Sequence, residues 1–325
     1  MTVQDRVERE RRVRELVSAA GYGPDEQVVL GLDDGEITTV ATHESFGPHT
    51  VAYTASVSKQ VTGACLALLV RRGALALDDP LIRWLPELPA WATRIRLRHL
   101  LVHSGGLPSQ EQAWQAIRAT GQVDWTTPGV LAMLGTVARV EAPGQIHGYC
   151  NLGYVCLAEA AARAAGGPLP VFARRELFAP LGMDATVLWP GPDPAPPGAR
   201  ALPDGPAPLT LGDGGMWSTV HDLLRWNRAM HSDALGVAAV LHTAGRLEDG
   251  TSVPYAMGVG LRTYRGHPLH SHGGAWPGLT AKLVRVPATG RSLAALALAD
   301  GVERMVSLTD ALTDLLVNPT GARPA

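Results

Sequence analysis

Apolar residues recur at helical spacing through the first twenty positions, with Val13, Leu16, Val17 and Ala20 on one face, so the chain is predicted to open on a helix over Val3–Ala20. The period then changes. Gln27–Leu32 and Glu36–Ala41 read as strands on either side of Asp33-Asp34-Gly35, a hairpin turn. Ser56 or Ser58 is placed to cap a helix that continues through Arg72 and stops at Gly73. From Asp78 to about Leu188 the pattern is helical or irregular, with helices expected over Thr127–Val140 and Leu152–Ala165. Pro, Gly and Ala dominate from Pro190 to Pro208, which reads as a loop or linker. Thr219-Val-His-Asp222 resembles a capping box and opens a helix carrying Leu223, Leu224, Trp226 and Met230. Strands return in the last third at Ala256–Tyr264, Thr280–Val286 and Ser292–Ala299, before a closing helix over Glu303–Val317.

Strands at both ends and helices between them imply an α+β chain, with one sheet built from both termini and a helical lobe inserted. The expected division is an α/β lobe of residues 1–77 plus 209–325 and a mainly helical lobe of 78–208, with the site in the cleft between them. Composition changes this picture little. A chain of 325 residues with 46% hydrophobic and 18% charged positions buries a large core without disulfides or a structural metal. The net charge of −2 and the lack of a basic run argue against nucleic acid and anionic membrane as partners. Cys65, Cys150 and Cys156 are an odd, scattered set that suits a reducing compartment. The charged N-terminus lacks the apolar stretch of a secretory signal, so a cytoplasmic protein is expected.

The sharpest chemical feature is Ser56-Val57-Ser58-Lys59 at a helix start. Spacing of three puts Ser56 and Lys59 on one helical face. A serine hydroxyl needs a partner to take its proton; a lysine whose pKa is lowered can do this and an arginine cannot. The chain holds only two lysines, Lys59 and Lys282, among 28 basic residues. Taken alone, the motif also fits a capping serine with an incidental lysine. Two further motifs bear on the choice. Tyr149-Cys150-Asn151 precedes a helix, and His272-Gly273-Gly274 lies in the β-rich third, followed by Ala275-Trp276-Pro277-Gly278. Alone, these read as a loop with an N-cap and as a strand-end turn.

In this order the three motifs resemble the S-x-x-K, Y-x-N and H/K-x-G elements of the serine β-lactamase and penicillin-binding protein superfamily. They are most similar to its class C β-lactamase, D-Ala-D-Ala carboxypeptidase and family VIII esterase branch. Leu77-Asp-Asp-Pro80, Leu85-Pro-Glu87, Arg98-His-Leu-Leu101 with Gly106-Leu107, Phe178–Met183 and Gly214–Thr219 match family landmarks as well, so the resemblance spans nearly the whole chain. It implies an antiparallel sheet flanked by helices. It also implies Ser56 as nucleophile, Lys59 and Tyr149 as its proton network, and His272 as a partly charged hydrogen-bond donor near Tyr149. Backbone N–H groups of Ser56 and Ala275 would form the oxyanion hole. Asn151, Gly273, Gly274 and Trp276 would contact substrate.

Other candidates are weaker. His99 and His103 have a zinc-like spacing, but no Glu completes H-E-x-x-H, and structural hydrogen bonding is the expected role. His267, His270 and His272 lack a nearby acid. No cofactor or metal is expected. Cys150, between Tyr149 and Asn151, is expected to line the site and react with thiol reagents. No G-x-S-x-G elbow is present. The expected activity is hydrolysis of a small ester or amide, with D-configured peptides or amides among the candidates. Transfer of the acyl group to an amine or alcohol would use the same intermediate, and a slowly acylated β-lactam or metabolite sensor is the alternative.

Overall fold

The computed structural model describes residues 2–119, 125–138 and 140–317. Its strands are β1 (Gln27–Asp33), β2 (Ile37–Ala41), β3 (Ala52–Tyr53), β4 (Val187–Leu188), β5 (Met216–Ser218), β6 (Gly260–Tyr264), β7 (His267–Trp276), β8 (Leu279–Val286) and β9 (Arg291–Leu298). Six of them form a sheet in the order β2-β1-β9-β8-β7-β6, every pair antiparallel. The two chain ends meet at β1 and β9, where Leu30 faces Ala295. These central strands are near-continuous apolar runs because helices cover both faces. One face packs Val28, Leu30 and Leu293 against Val13, Val17, Leu308 and Leu312 of the terminal helices Val3–Ala19 and Val302–Val317. On the other, Val29, Ala294 and Leu296 share a core with the helices Lys59–Arg71, Asn151–Ala165 and Val220–Ser232. The Lys59–Arg71 helix is buried from Lys59 to Leu69 without a break, so it is a core element on all sides.

Several boundaries differ from expectation. Residues Ala55–Ser58 form a tight 3₁₀ turn ahead of the helix, and neither Ser56 nor Ser58 makes a capping bond. Thr219 does cap its helix, accepting the Asp222 N–H at 3.1 Å, but Asp222 does not close the box. Its carboxylate instead accepts from Thr186 Oγ1 at 2.9 Å and the Ala185 N–H at 3.0 Å, tying the helix to the loop before β4. The helix from Thr127 ends at Thr136 because Val137 turns extended; of the longer expected span, Arg139 lies outside the described residues. Gly258, at φ +80°, delays the strand expected from Ala256 until Gly260. A small sheet of order β3-β5-β4 was not anticipated, since strands of two or three residues carry no periodicity. No described helix is long and apolar enough to cross a membrane.

Candidate active site

The turn that carries Ser56 hangs from the small sheet. Thr54, just past β3, sends its N–H and its hydroxyl to the Met216 carbonyl at 3.0 and 2.9 Å. Ala55 follows at φ +45°, a left-handed value that costs a residue with a Cβ roughly 1–2 kcal/mol. The chain reverses there and presents Ser56 at the mouth of a cleft of about 370 Å³.

Lys59, the first residue of the core helix, is fully buried. Its Nζ donates to Ser56 Oγ at 3.0 Å, Asn151 Oδ1 at 2.6 Å and the Asp213 carbonyl at 2.8 Å. An ammonium has three N–H donors, and this cage matches them one for one. The two acceptors away from Ser56 fix the nitrogen. Its third tetrahedral position then points at the hydroxyl, whether occupied by a proton or a lone pair. Proton exchange between Ser56 and Lys59 therefore needs no rearrangement. Asp213, which the sequence reading missed, contributes through its backbone. Burial pushes its carboxyl above the ordinary range, opposed by the nearby Lys59 charge.

Tyr149 lies in the same cleft, 51% exposed, with its ring centroid 5.0 Å from Lys59 Nζ. Asn151 opens the helix behind it. On the opposite wall, β6 pairs with β7 only as far as Ser271, leaving the edge of residues 272–276 free of a strand partner. That edge packs against the Ser56 turn only because position 274 is glycine. A Cβ there would lie 2.3 Å from the Thr54 carbonyl oxygen and 3.2 Å from Ser56 N. The same approach brings the Ala275 backbone to the turn, and Ala275 and Gly273 line the cleft with Ser56.

Two expectations change. His272 is 7% exposed, and burial together with the Lys59 charge lowers its pKa to about 3, so it is neutral rather than partly charged at pH 7. Its Nδ1 lies 2.6 Å from the Gly273 carbonyl and its Nε2 2.8 Å from Tyr255 Oη. The carbonyl can only accept, so Nδ1 carries the proton and Nε2 accepts from Tyr255. Both nitrogens are thereby committed away from Tyr149, whose ring centroid is 6.3 Å distant. Trp276 turns out of the cleft: its indole N–H donates to the Pro206 carbonyl at 2.9 Å, and its ring joins the cluster around Tyr53 and Trp217. The sequence offered no sign of Tyr255, which lies outside every motif.

Cys150 also departs from expectation. Its thiol donates to the Pro108 carbonyl at 3.5 Å, burial raises its pKa, and it is not part of the cleft wall. His99 is structural: Nδ1 accepts the Arg96 N–H at 3.1 Å, and Nε2 contacts Glu248 at 2.8 Å. The ring of His270 packs at a tilt against His242 with centroids 4.2 Å apart. Among the described residues, no group of three or more His, Cys, Asp or Glu side chains is arranged to hold a metal ion. Lys282, the second lysine, lines the same cleft as Ser56, opposite Gly273 on β8.

A cleft serine paired with a buried lysine, between a helical layer and the free edge of an antiparallel sheet, defines a serine hydrolase of the penicillin-binding protein type. The chain belongs to the Beta-lactamase family, which it matches over residues 8–316. It is 26% identical over 302 residues to the D-alanyl-D-alanine-carboxypeptidase/endopeptidase AmpH of Escherichia coli K12, covering 83% of this chain and 76% of that one. It is 31% identical over 147 residues to the esterase EstB of Burkholderia gladioli, covering 40% of this chain and 36% of the esterase. Its fold superposes on the D-amino acid amidase of Ochrobactrum anthropi SV3 with a TM-score of 0.75 at 22% identity, covering 93% and 99% of the two chains.

Proposed function

We propose that the protein hydrolyses a small ester or amide through an acyl-Ser56 intermediate, and that an amine or alcohol can replace water as acceptor. The observation that carries this reading is the three-acceptor cage that holds Lys59 Nζ 3.0 Å from Ser56 Oγ. In this scheme Ser56 Oγ bonds to the acyl carbon while its proton passes to the Lys59–Tyr149 pair. The carbonyl π electrons move to oxygen, opposite the Ser56 and Ala275 N–H groups. As the tetrahedral centre collapses, the bond to the leaving group breaks and the stored proton goes to that group. The acceptor then repeats the steps in reverse order, giving up its proton to the same pair and returning Ser56. Relatives named as a carboxypeptidase/endopeptidase and an esterase, with a fold neighbour that is a D-amino acid amidase, support a site that tolerates different leaving groups. The three free cysteines support a reducing compartment such as the cytoplasm.

Intact-protein mass spectrometry with an activated ester, a D-amino-acid amide and a β-lactam tests the proposal. Wild type should gain one acyl mass that decays, faster with added amine, and Ser56→Ala should gain none. An adduct on Ser56→Ala, or no adduct from any of the three donors, overturns it. An adduct that forms and never decays would mark a sensor in place of a hydrolase.

A further inference from the structure

Tyr149 poses a mechanical problem. It is half exposed, on a segment without regular structure before its helix, yet the acylation network asks its phenol to hold position beside a fully buried amine. One residue answers for that placement. His103 follows the short helix Leu97–Leu101 and sits at φ +55°, a left-handed position where glycine or asparagine is relaxed and histidine is strained. It is 2% exposed. Its carbonyl accepts the Gly148 N–H at 2.8 Å, and its Nδ1 accepts the Cys150 N–H at 3.2 Å. The N–H groups of both residues next to Tyr149 are therefore tied to a single residue. The imidazole also packs on the phenol ring with centroids 4.3 Å apart, so backbone and side chain are held together. Immediately upstream, the Val102 carbonyl contacts His147 Nδ1 at 2.8 Å, a third tie on the same segment.

The clamp requires a neutral ring. The Cys150 N–H occupies the Nδ1 lone pair, which leaves the proton on Nε2, and that nitrogen is buried without a hydrogen-bond partner among the described residues. Burial and the Lys59 charge hold the His103 pKa at about 2, so the acceptor persists throughout the working pH range. A strained backbone and an unsatisfied buried donor both weigh against histidine for stability, while the acceptor it supplies serves the segment carrying Tyr149.

We infer that His103 is a positioning residue for acylation: it fixes the Tyr149 phenol through hydrogen bonds to the N–H groups of Gly148 and Cys150 on either side and through ring packing. The inference rests on the reading that Tyr149 belongs to the proton network of Ser56. Asparagine can place Oδ1 where Nδ1 lies and accepts φ above zero; leucine and glutamine lose the acceptor at that point.

The test measures single-turnover acylation by an activated ester across a concentration series. His103→Leu and His103→Gln should lower the acylation rate constant by about 10- to 100-fold, the loss expected when a proton-transfer group is displaced by about 1 Å, with the half-saturating concentration within about 2-fold of wild type. His103→Asn should recover to within about 5-fold of wild type. In a Tyr149→Phe background, His103→Leu should cost less than about 2-fold, because the group it positions is gone. Losses that multiply in the double variant, equal losses in the Asn and Leu variants, or near-normal acylation by His103→Leu would each overturn the positioning role. If His103→Leu fails to fold, His103→Gln carries the same comparison. Wild-type activity of Tyr149→Phe alone would instead remove the role of Tyr149 in acylation, a separate failure.

Discussion

Replacing Lys59 by arginine keeps a positive charge at the same place and removes the capacity of the side chain to exchange a proton. Lys59 is fully buried and its Nζ meets three acceptors within 3.0 Å. A guanidinium is larger and planar, so it can satisfy part of that cage only by displacing its neighbours, a cost of about 1–3 kcal/mol in folding stability. The catalytic loss is larger. General-base transfer contributes about 10²–10⁴-fold, and a 10³-fold loss is about 4 kcal/mol of barrier. Lys59→Met removes the charge as well and takes the Lys59 N–H bonds from Asn151 Oδ1 and the Asp213 carbonyl, at about 1 kcal/mol each. Both variants are therefore expected to fold with a lowered melting temperature and to acylate Ser56 at least ~10²-fold more slowly. The assay is rapid-quench intact mass with an activated ester, read beside a thermal melt that confirms the folded fraction. Acylation by folded Lys59→Arg within about 10-fold of wild type would refute the reasoning, because a permanently protonated side chain would then be doing the work of the base.

Three further outcomes follow from the same geometry. Gly274→Ala drives a Cβ to 2.3 Å from the Thr54 carbonyl oxygen, so the β7 edge must move from the nucleophile turn; acylation should fall by at least ~10²-fold, the scale of a lost oxyanion donor, while circular dichroism stays near wild type. His103 and His272 keep pKa values of about 2 and about 3 when folded against an ordinary 6.5, so the unfolded chain binds more protons below pH 6.5. Stability should be full above that pH and fall on acidification by about 1.4 kcal/mol per pH unit for each ring; urea melts between pH 6.5 and 4.5, before most carboxylates titrate, read the slope, and His103→Asn should flatten it. Cys150, partly buried with its thiol on the Pro108 carbonyl and its pKa raised, should stay unmodified by iodoacetamide at neutral pH over the time a small thiol is consumed, as peptide mapping would report.

Where one short segment carries the information, sequence and structure agree. The near-continuous apolar runs of β1 and β9 suit strands covered on both faces, and the three-residue spacing of Ser56 and Lys59 brings amine beside hydroxyl. Asn151, at the start of its helix, followed from its position before an apolar helical run. These are statements about local period and reach. They need only the geometry of a helix or strand.

Contacts between distant segments were decided by packing alone. The Asp213 carbonyl reaches Lys59 across 154 positions, and any residue type could offer that carbonyl, so its identity left no trace in the sequence. Tyr255 captures His272 Nε2 from a stretch with no motif, and the neutral state of that ring comes from burial, a property of the assembled core. Trp276 meets the Pro206 carbonyl, and the left-handed turn at His103 meets the N–H groups of residues 148 and 150, contacts that no local pattern announces. Sequence by itself determined which residues can exchange a proton and hold an acyl group. Only the tertiary structure decided which of them are desolvated, which hydrogen bonds are already taken, and therefore which remain free to act, because solvation and partner choice depend on atoms far apart along the chain.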